Sequence, residues 1–162
     1  MKINRFIFSA LAGLVLLVSA CAPQATPTAA PPTQPVAATS APAMGTTVQV
    51  GKNDALGSFL VDDKGMTLYL FTKDSPNTTT CYDQCATNWP PLLTTSVPVA
   101  GEGVDASNLA TITRTDGMVQ VTYNGWPLYF YAKDAAPGDV VGQNVGDVWF
   151  VVSPAGEQVM AP

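Results

Sequence analysis

Cys81 and Cys85 stand four residues apart in CYDQCATNW, and two near-identical phrases, LYLFTKD from Leu68 and LYFYAKD from Leu128, each carry a tyrosine, a second ring and an aspartate. These residue types offer the most chemistry in the chain. A thiol pair can close a disulfide, cycle between redox states or hold a soft metal. A phenol near a carboxylate can line a binding or redox site. The chain has no histidine, which excludes imidazole-ligated zinc, blue-copper and haem sites and removes the commonest general base. It has no phosphate-cradling or dinucleotide fingerprint. The turns near Asp62-Asp63 and Asp139 could touch Ca²⁺ weakly, but they lack EF-hand spacing. Asp74 and Asp134 form a repeat-related carboxylate pair, but glycoside hydrolysis needs a defined separation that the sequence does not set. The expectation is a protein with no cofactor, no metal and no catalytic set, hence not an enzyme.

For Cys81 and Cys85 the simplest state outside the cytoplasm is a structural disulfide. Positions i and i+4 of a short helical segment lie within reach of such a bond. So short a loop contributes less than the roughly 3 kcal/mol of a fifteen-residue loop, so its expected work is local, holding Trp89 and the Pro90-Pro91 corner. A redox-active pair is the alternative. It calls for a nearby positive charge or a C-x-x-C spacing, and here the neighbour is Asp83 and the spacing is C-x₃-C. In the second phrase's half of the chain, Val141 and Val145 occupy the matching positions, which predicts apolar packing where the first half has sulfur.

The elements that position these residues form a repeat. Offset by sixty positions, Val61, Gly65, Leu68, Tyr69, Lys73 and Asp74 fall on Val121, Gly125, Leu128, Tyr129, Lys133 and Asp134. Phe71 falls on Tyr131 and Trp89 on Trp149, with no gap. Such self-similarity marks two copies of one supersecondary unit. Lys64-Gly65, Asn124-Gly125 and Asp116-Gly117 lie between strand-like runs and predict hairpins. Pro127 suits the start of a strand or an edge. The final run DVWFVVSPAGEQVM, from Asp147, reads as strand, turn and strand. The predicted fold is mainly β: two related antiparallel β-meander repeats, about 56–95 and 116–155, packed as one small domain over 46–162, with a short helix around Cys81 and Cys85.

In a strand, Tyr69 and Phe71 face one side while Leu68 and Leu70 face the other. Tyr129 and Tyr131 repeat the arrangement. Asp74 and Asp134 follow in turn-forming contexts, KDSPN and KDAAPGD, where a carboxylate accepts backbone N–H groups or a tyrosine hydroxyl. An aromatic ladder fastened by two aspartates is the expected arrangement, with a lined site as the alternative.

Tyr69-x-Phe71-x-x-Asp74 and Tyr129-x-Tyr131-x-x-Asp134 resemble the Yx(F/W/Y)xxD motif of a family of predicted bacterial lipoproteins, the secreted repeat of unknown function. Cys81-x₃-Cys85-x₃-Trp89-Pro90-Pro91 and the terminal VWFVVSPAGE are similar to the family as well. The resemblance implies secretion and duplication. It assigns no activity and no catalytic residue.

Residues 1–20 read as a lipoprotein signal peptide: Lys2 and Arg5, then an apolar run too short to span a bilayer. Val18-Ser19-Ala20-Cys21 looks like a bacterial lipobox, which implies cleavage before Cys21 and lipidation of its sulfur, a membrane anchor. Residues 21–45 carry this cysteine and an Ala/Pro/Thr-rich tether without charge, able to lift a domain up to about 70 Å from a membrane. Without Lys2 and Arg5, five basic residues face twelve acidic ones, a net charge near −7 that argues against nucleic acid as a partner. The leading expectation is a non-enzymatic, extracytoplasmic cell-envelope lipoprotein. It would present its β repeats to an unknown envelope protein or ligand, or serve structurally. One alternative is an envelope redox or electron-transfer accessory using Cys81/Cys85 or the Tyr/Trp cluster. Another is a carbohydrate-binding module using exposed rings such as Trp126 and Trp149.

Overall fold

The computed structural model describes residues 45–160; the leader, Cys21 and most of the tether lie outside the described residues. Strand β1 (Thr47–Asn53) turns back into β2 (Gly57–Asp62) through an Asx turn in which Asn53 Oδ1 accepts from Ala55 N and Leu56 N. β3 (Tyr69–Phe71) follows, then helix α1 (Gln84–Asn88) and the two-residue β4 (Val99–Ala100), which runs parallel to the start of β1. A 3₁₀ turn (Ala106–Asn108) leads into β5 (Leu109–Thr113), β6 (Val119–Tyr123) and β7 (Trp126–Pro127), joined antiparallel in that order. β8 (Trp149–Val151) closes the domain against β3. The domain is mainly β, with the expected short helix beside the cysteines.

Asn124 and Gly125 both adopt positive φ, 49° and 80°, the backbone of a two-residue hairpin turn. The first repeat's hairpin is one residue longer: Leu68 N donates to Leu60 O, whereas Leu128 N donates to Val121 O. The gap-free sixty-residue register therefore needs a correction. Ahead of the turn, Val121 corresponds to Leu60, not Val61. Both pack in the same core cluster, whereas Val61 packs in the other. A one-residue difference in a turn moves every upstream side chain to the opposite face unless the offset changes with it.

Strand pairing passes between the repeats. β3 of the first pairs with β8 of the second, and Tyr69 and Tyr129 meet directly as an antiparallel bridge. Tyr69 N donates to Tyr129 O at 2.8 Å and Tyr129 N to Tyr69 O at 3.0 Å, a reciprocal pair on a pseudo-twofold axis. Around it the bonds repeat: Leu60 N to Val152 O and Val152 N to Leu68 O in one half, Val121 N to Leu92 O and Leu92 N to Leu128 O in the other.

This central layer is apolar on both faces. Period-two alternation sends Leu60, Leu68, Leu70, Val121, Leu128 and Val152 into one core with Val48, Leu92 and Tyr123. It sends Phe59, Val61, Tyr69, Tyr129, Trp149 and Val151 into a second core with Cys81 and Trp89. Tyr69, Phe71, Tyr129 and Tyr131 of the repeated phrase thus share one side of the layer, while Phe130 packs with the leucines on the other.

Candidate functional site

Tyr69 and Tyr129 are fully buried, and each hydroxyl reaches into the other repeat. Tyr69 Oη donates to Asp134 Oδ2 at 2.7 Å, and Tyr129 Oη donates to Asp74 Oδ2 at 2.6 Å. The aspartate that follows each tyrosine in its own phrase, Asp74 after Tyr69 and Asp134 after Tyr129, does not serve that tyrosine; the partners are exchanged across the axis. The antiparallel bridge forces this result, because it sets the two strands running in opposite directions, so each strand's far end lies beside the other's phenol.

Each carboxylate is held by its own loop. Asp74 Oδ1 accepts from Thr80 N at 2.7 Å and Thr80 Oγ1 at 2.8 Å, and Asp134 Oδ1 accepts from Val141 N at 3.0 Å. The hydroxyls also accept: Thr79 Oγ1 lies 2.6 Å from Tyr129 Oη, and Gly142 N donates to Tyr69 Oη at 3.2 Å. Since Tyr129 gives its proton to Asp74, Thr79 is the donor in its own contact with Tyr129.

Burial dominates the ionisation of both pairs. It pushes the Tyr69 and Tyr129 phenols well above their ordinary range, helped by the bond to, and the negative charge of, the neighbouring aspartate. It also raises Asp74 and Asp134, against the opposing effect of the phenol and backbone donors and, for Asp74, of the positive charge of Arg114.

Beside the phenols lies a ladder of four rings. Phe71 stacks on Trp149 at 4.1 Å, Trp149 on Trp89 at 3.9 Å with planes 3° apart, and Trp89 on Tyr131 at 4.1 Å. Tyr69 meets Trp89 edge-on at 5.4 Å, and Tyr129 meets Trp149 edge-on at 5.2 Å. The two indoles are buried, while Phe71 and Tyr131 at the ends are half-buried. Lys133 Nζ lies 6.0 Å from the Tyr131 ring centre, a cation on the ladder's outer end.

Cys81 and Cys85 form a disulfide with Cα atoms 5.2 Å apart, on the lip of α1. Cys81 is wholly buried in the core that also holds Trp89, Tyr129 and Trp149. The matching position in the second half departs from expectation: Val141 is 58% exposed, and the backbone of Gly142 takes the inner place instead. A Cβ at Gly142 would stand 2.8 Å from both the Trp89 indole and the Tyr69 ring, so the chain passes too close for a side chain there. Val145 does pack against the ring core.

Sequence reasoning missed Arg114. It is 3% exposed, donating to Gln120 Oε1 at 2.8 Å, Cys81 O at 3.1 Å and Asp116 Oδ2 at 3.1 Å, with its guanidinium 4.5 Å from the Tyr82 ring centre. It ties the disulfide segment to the hairpin of β5 and β6. Its being the one arginine of the domain was the available sign, since Arg is favoured where several acceptors must be met in fixed geometry.

Trp149 is 5% exposed and Trp126 half-buried against the other core, so the pair cannot offer the coplanar platform of a carbohydrate-binding module. Asp62, offered as a weak cation ligand, accepts instead from Lys64 N and Met66 N, and Asp139 from Ala135 N and Ala136 N. A surface groove of about 580 Å³, lined by Thr46, Leu93, Met118 and Val119 among others, holds no motif residue.

A family model described as a secreted repeat of unknown function matches residues 51–93 and again 110–153. Nothing among curated proteins or solved structures matches the chain.

Proposed function

Because the chain belongs to this family of secreted repeats, we propose that it is a non-enzymatic cell-envelope lipoprotein: a lipid on Cys21, a tether over 21–45, and a rigid duplicated domain presented for binding or for a structural role. A secreted repeat acts outside the cytoplasm, and among the described residues no helix is long and apolar enough to cross a membrane. The anchor in this reading is the lipobox-like Val18-Ser19-Ala20-Cys21.

The observation that carries the non-enzymatic reading is the exchange of Tyr69–Asp134 and Tyr129–Asp74 bonds. The repeated polar groups are buried and spend their hydrogen-bonding capacity on one another and on their own loops. Groups so engaged hold a fold in one register rather than receive a substrate.

Intact-mass analysis of the mature protein tests the anchor. The expected result is an amino terminus at Cys21 carrying acyl chains, with Cys21→Ala released from the membrane fraction. An unlipidated amino terminus at any other residue overturns it.

A further inference from the structure

The second core gathers oxidisable rings in close contact. Trp149, Trp89 and Tyr131 make two successive face-to-face contacts at 3.9 and 4.1 Å, and the phenols of Tyr69 and Tyr129 abut the indoles edge-on. Electron tunnelling falls steeply with distance, so rings in van der Waals contact exchange an electron far faster than rings separated by aliphatic packing. Cys81 and Cys85 lie nearby but are already joined, so among the described residues no thiol competes as the most easily oxidised group.

Each buried phenol also has a proton acceptor in place. Oxidation turns a phenol into a very strong acid. A buried one therefore gives up an electron readily only where a base can take the proton in the same event. Asp134 Oδ2 at 2.7 Å from Tyr69 and Asp74 Oδ2 at 2.6 Å from Tyr129 meet that requirement. Charge orders the route. Lys133 beside the outer ring disfavours a positive hole there, while the two buried carboxylates favour it inside.

The repeats differ at one point that sets direction. Position 71 is phenylalanine and position 131 is tyrosine. Benzene rings resist oxidation at potentials that remove an electron from phenol or indole. The ladder is therefore closed to electrons at its Phe71 end and open at Tyr131, which is half-buried at the surface.

We propose that the ring ladder carries single oxidising equivalents from a one-electron oxidant at the Tyr131 surface, through Trp89 and Trp149, to Tyr69 and Tyr129. In the completed step the oxidant gains one electron. Tyr69 loses that electron, and its phenolic proton moves to Asp134, leaving a neutral tyrosyl radical beside a neutral carboxylic acid; a second equivalent of oxidant, in a separate event, does the same at Tyr129 and Asp74. A one-electron reductant reverses the step, and the proton returns to the phenol. The partner class is an outer-sphere electron acceptor that needs contact with the domain surface and no pocket.

The test uses the mature, anchored protein in detergent and a photogenerated tris(bipyridine)ruthenium(III) complex as oxidant, with transient absorption and freeze-quench electron paramagnetic resonance as readouts. The wild type is expected to give a neutral tyrosyl signal that is lost in the Tyr69→Phe/Tyr129→Phe pair. Tyr131→Phe, which places in the second repeat the ring the first already carries, is expected to fold normally by near-ultraviolet circular dichroism and to lose the signal. Adding Phe71→Tyr to Tyr131→Phe reopens the ladder from its other end and is expected to restore it. An undiminished signal in Tyr131→Phe, a signal confined to Tyr82 and removed by Tyr82→Phe, or failure of Phe71→Tyr to rescue a folded protein overturns the proposal.

Discussion

The two repeats write the same phrase and support it by different means. In the first, the loop after Asp74 is closed by the Cys81–Cys85 disulfide, carries α1, and is pinned by Arg114. In the second, the loop after Asp134 has neither sulfur nor helix; it is held by the Asp139 carboxylate on Ala135 N and Ala136 N and by Gly142 passing against Tyr69 and Trp89. Yet both loops deliver one carboxylate oxygen to the opposite repeat's phenol, at 2.6 and 2.7 Å. The interlock is therefore set by the bridge at Tyr69 and Tyr129, and the loops are free to differ as long as each orients its aspartate. A covalent staple and a tight glycine passage are two solutions to one positional demand.

The ladder should show the strictest equivalence. Each indole is sandwiched, Trp149 between Phe71 and Trp89, and Trp89 between Trp149 and Tyr131. Trp149→Ala and Trp89→Ala are each expected to cost about 3–5 kcal/mol in urea unfolding. A large cost at one indole and a trivial one at the other would break the comparison outright.

The phenols should differ modestly. Either Tyr→Phe change removes a hydrogen bond to a carboxylate, about 1.5–3 kcal/mol. Tyr69→Phe should lie at the upper end, because Asp134 is then left to backbone donors and Gly142 N loses its phenol acceptor. Tyr129→Phe likewise takes the acceptor of the Thr79 hydroxyl, but it leaves Asp74 with both Thr80 donors. Chemical denaturation of the two variants side by side decides the order, and the reverse order would mean that Arg114 and Thr79 depend on Tyr129 more than the geometry indicates.

Loss of the disulfide comes next. For so short a loop, Cys81→Ala/Cys85→Ala is expected to cost about 2 kcal/mol. The near-ultraviolet circular dichroism of the rings should persist, since the second repeat keeps its half of the interlock without sulfur. Collapse of that spectrum on mutation or reduction would show the staple to be a condition of the fold.

The smallest effect is on pH dependence, and its sign is unusual for aspartates. Burial raises Asp74 and Asp134 above the ordinary 3.8, so the folded chain disfavours their ionised forms. The stability they contribute is full below that value and is lost as pH rises through their raised folded values; acidification through this window returns it. The tyrosines follow the same rule at the alkaline end: their contribution is intact below about 10 and declines above it, where unfolded phenols ionise and the buried ones do not. Melting curves across pH should show both slopes, and Asp74→Asn/Asp134→Asn should flatten the acid one. A wild type that loses stability steadily as pH falls through the ordinary carboxylate range would mean that its other carboxylates outweigh these two. An unchanged acid slope in the double variant would remove the assignment.

Local features of the chain were legible as written. Alternation in Leu68–Phe71 and Leu128–Tyr131 assigned Leu68, Leu70 and Leu128 to one face and Tyr69, Phe71, Tyr129 and Tyr131 to the other, Asn124-Gly125 announced a hairpin, and duplication was plain from matched residues. Each of these is a short-range property, governed by the backbone preferences of a few neighbouring residues. Which aspartate meets which tyrosine was beyond such rules. So were the burial of Trp149, the exposure of Val141 and the place of Arg114, because all depend on how two distant segments cross. Sequence identity between repeats says that two units are alike; it carries no record of whether they close on themselves or on each other. That choice was made by the antiparallel bridge between Tyr69 of β3 and Tyr129, where reversed direction brings each carboxylate to the phenol of the other repeat.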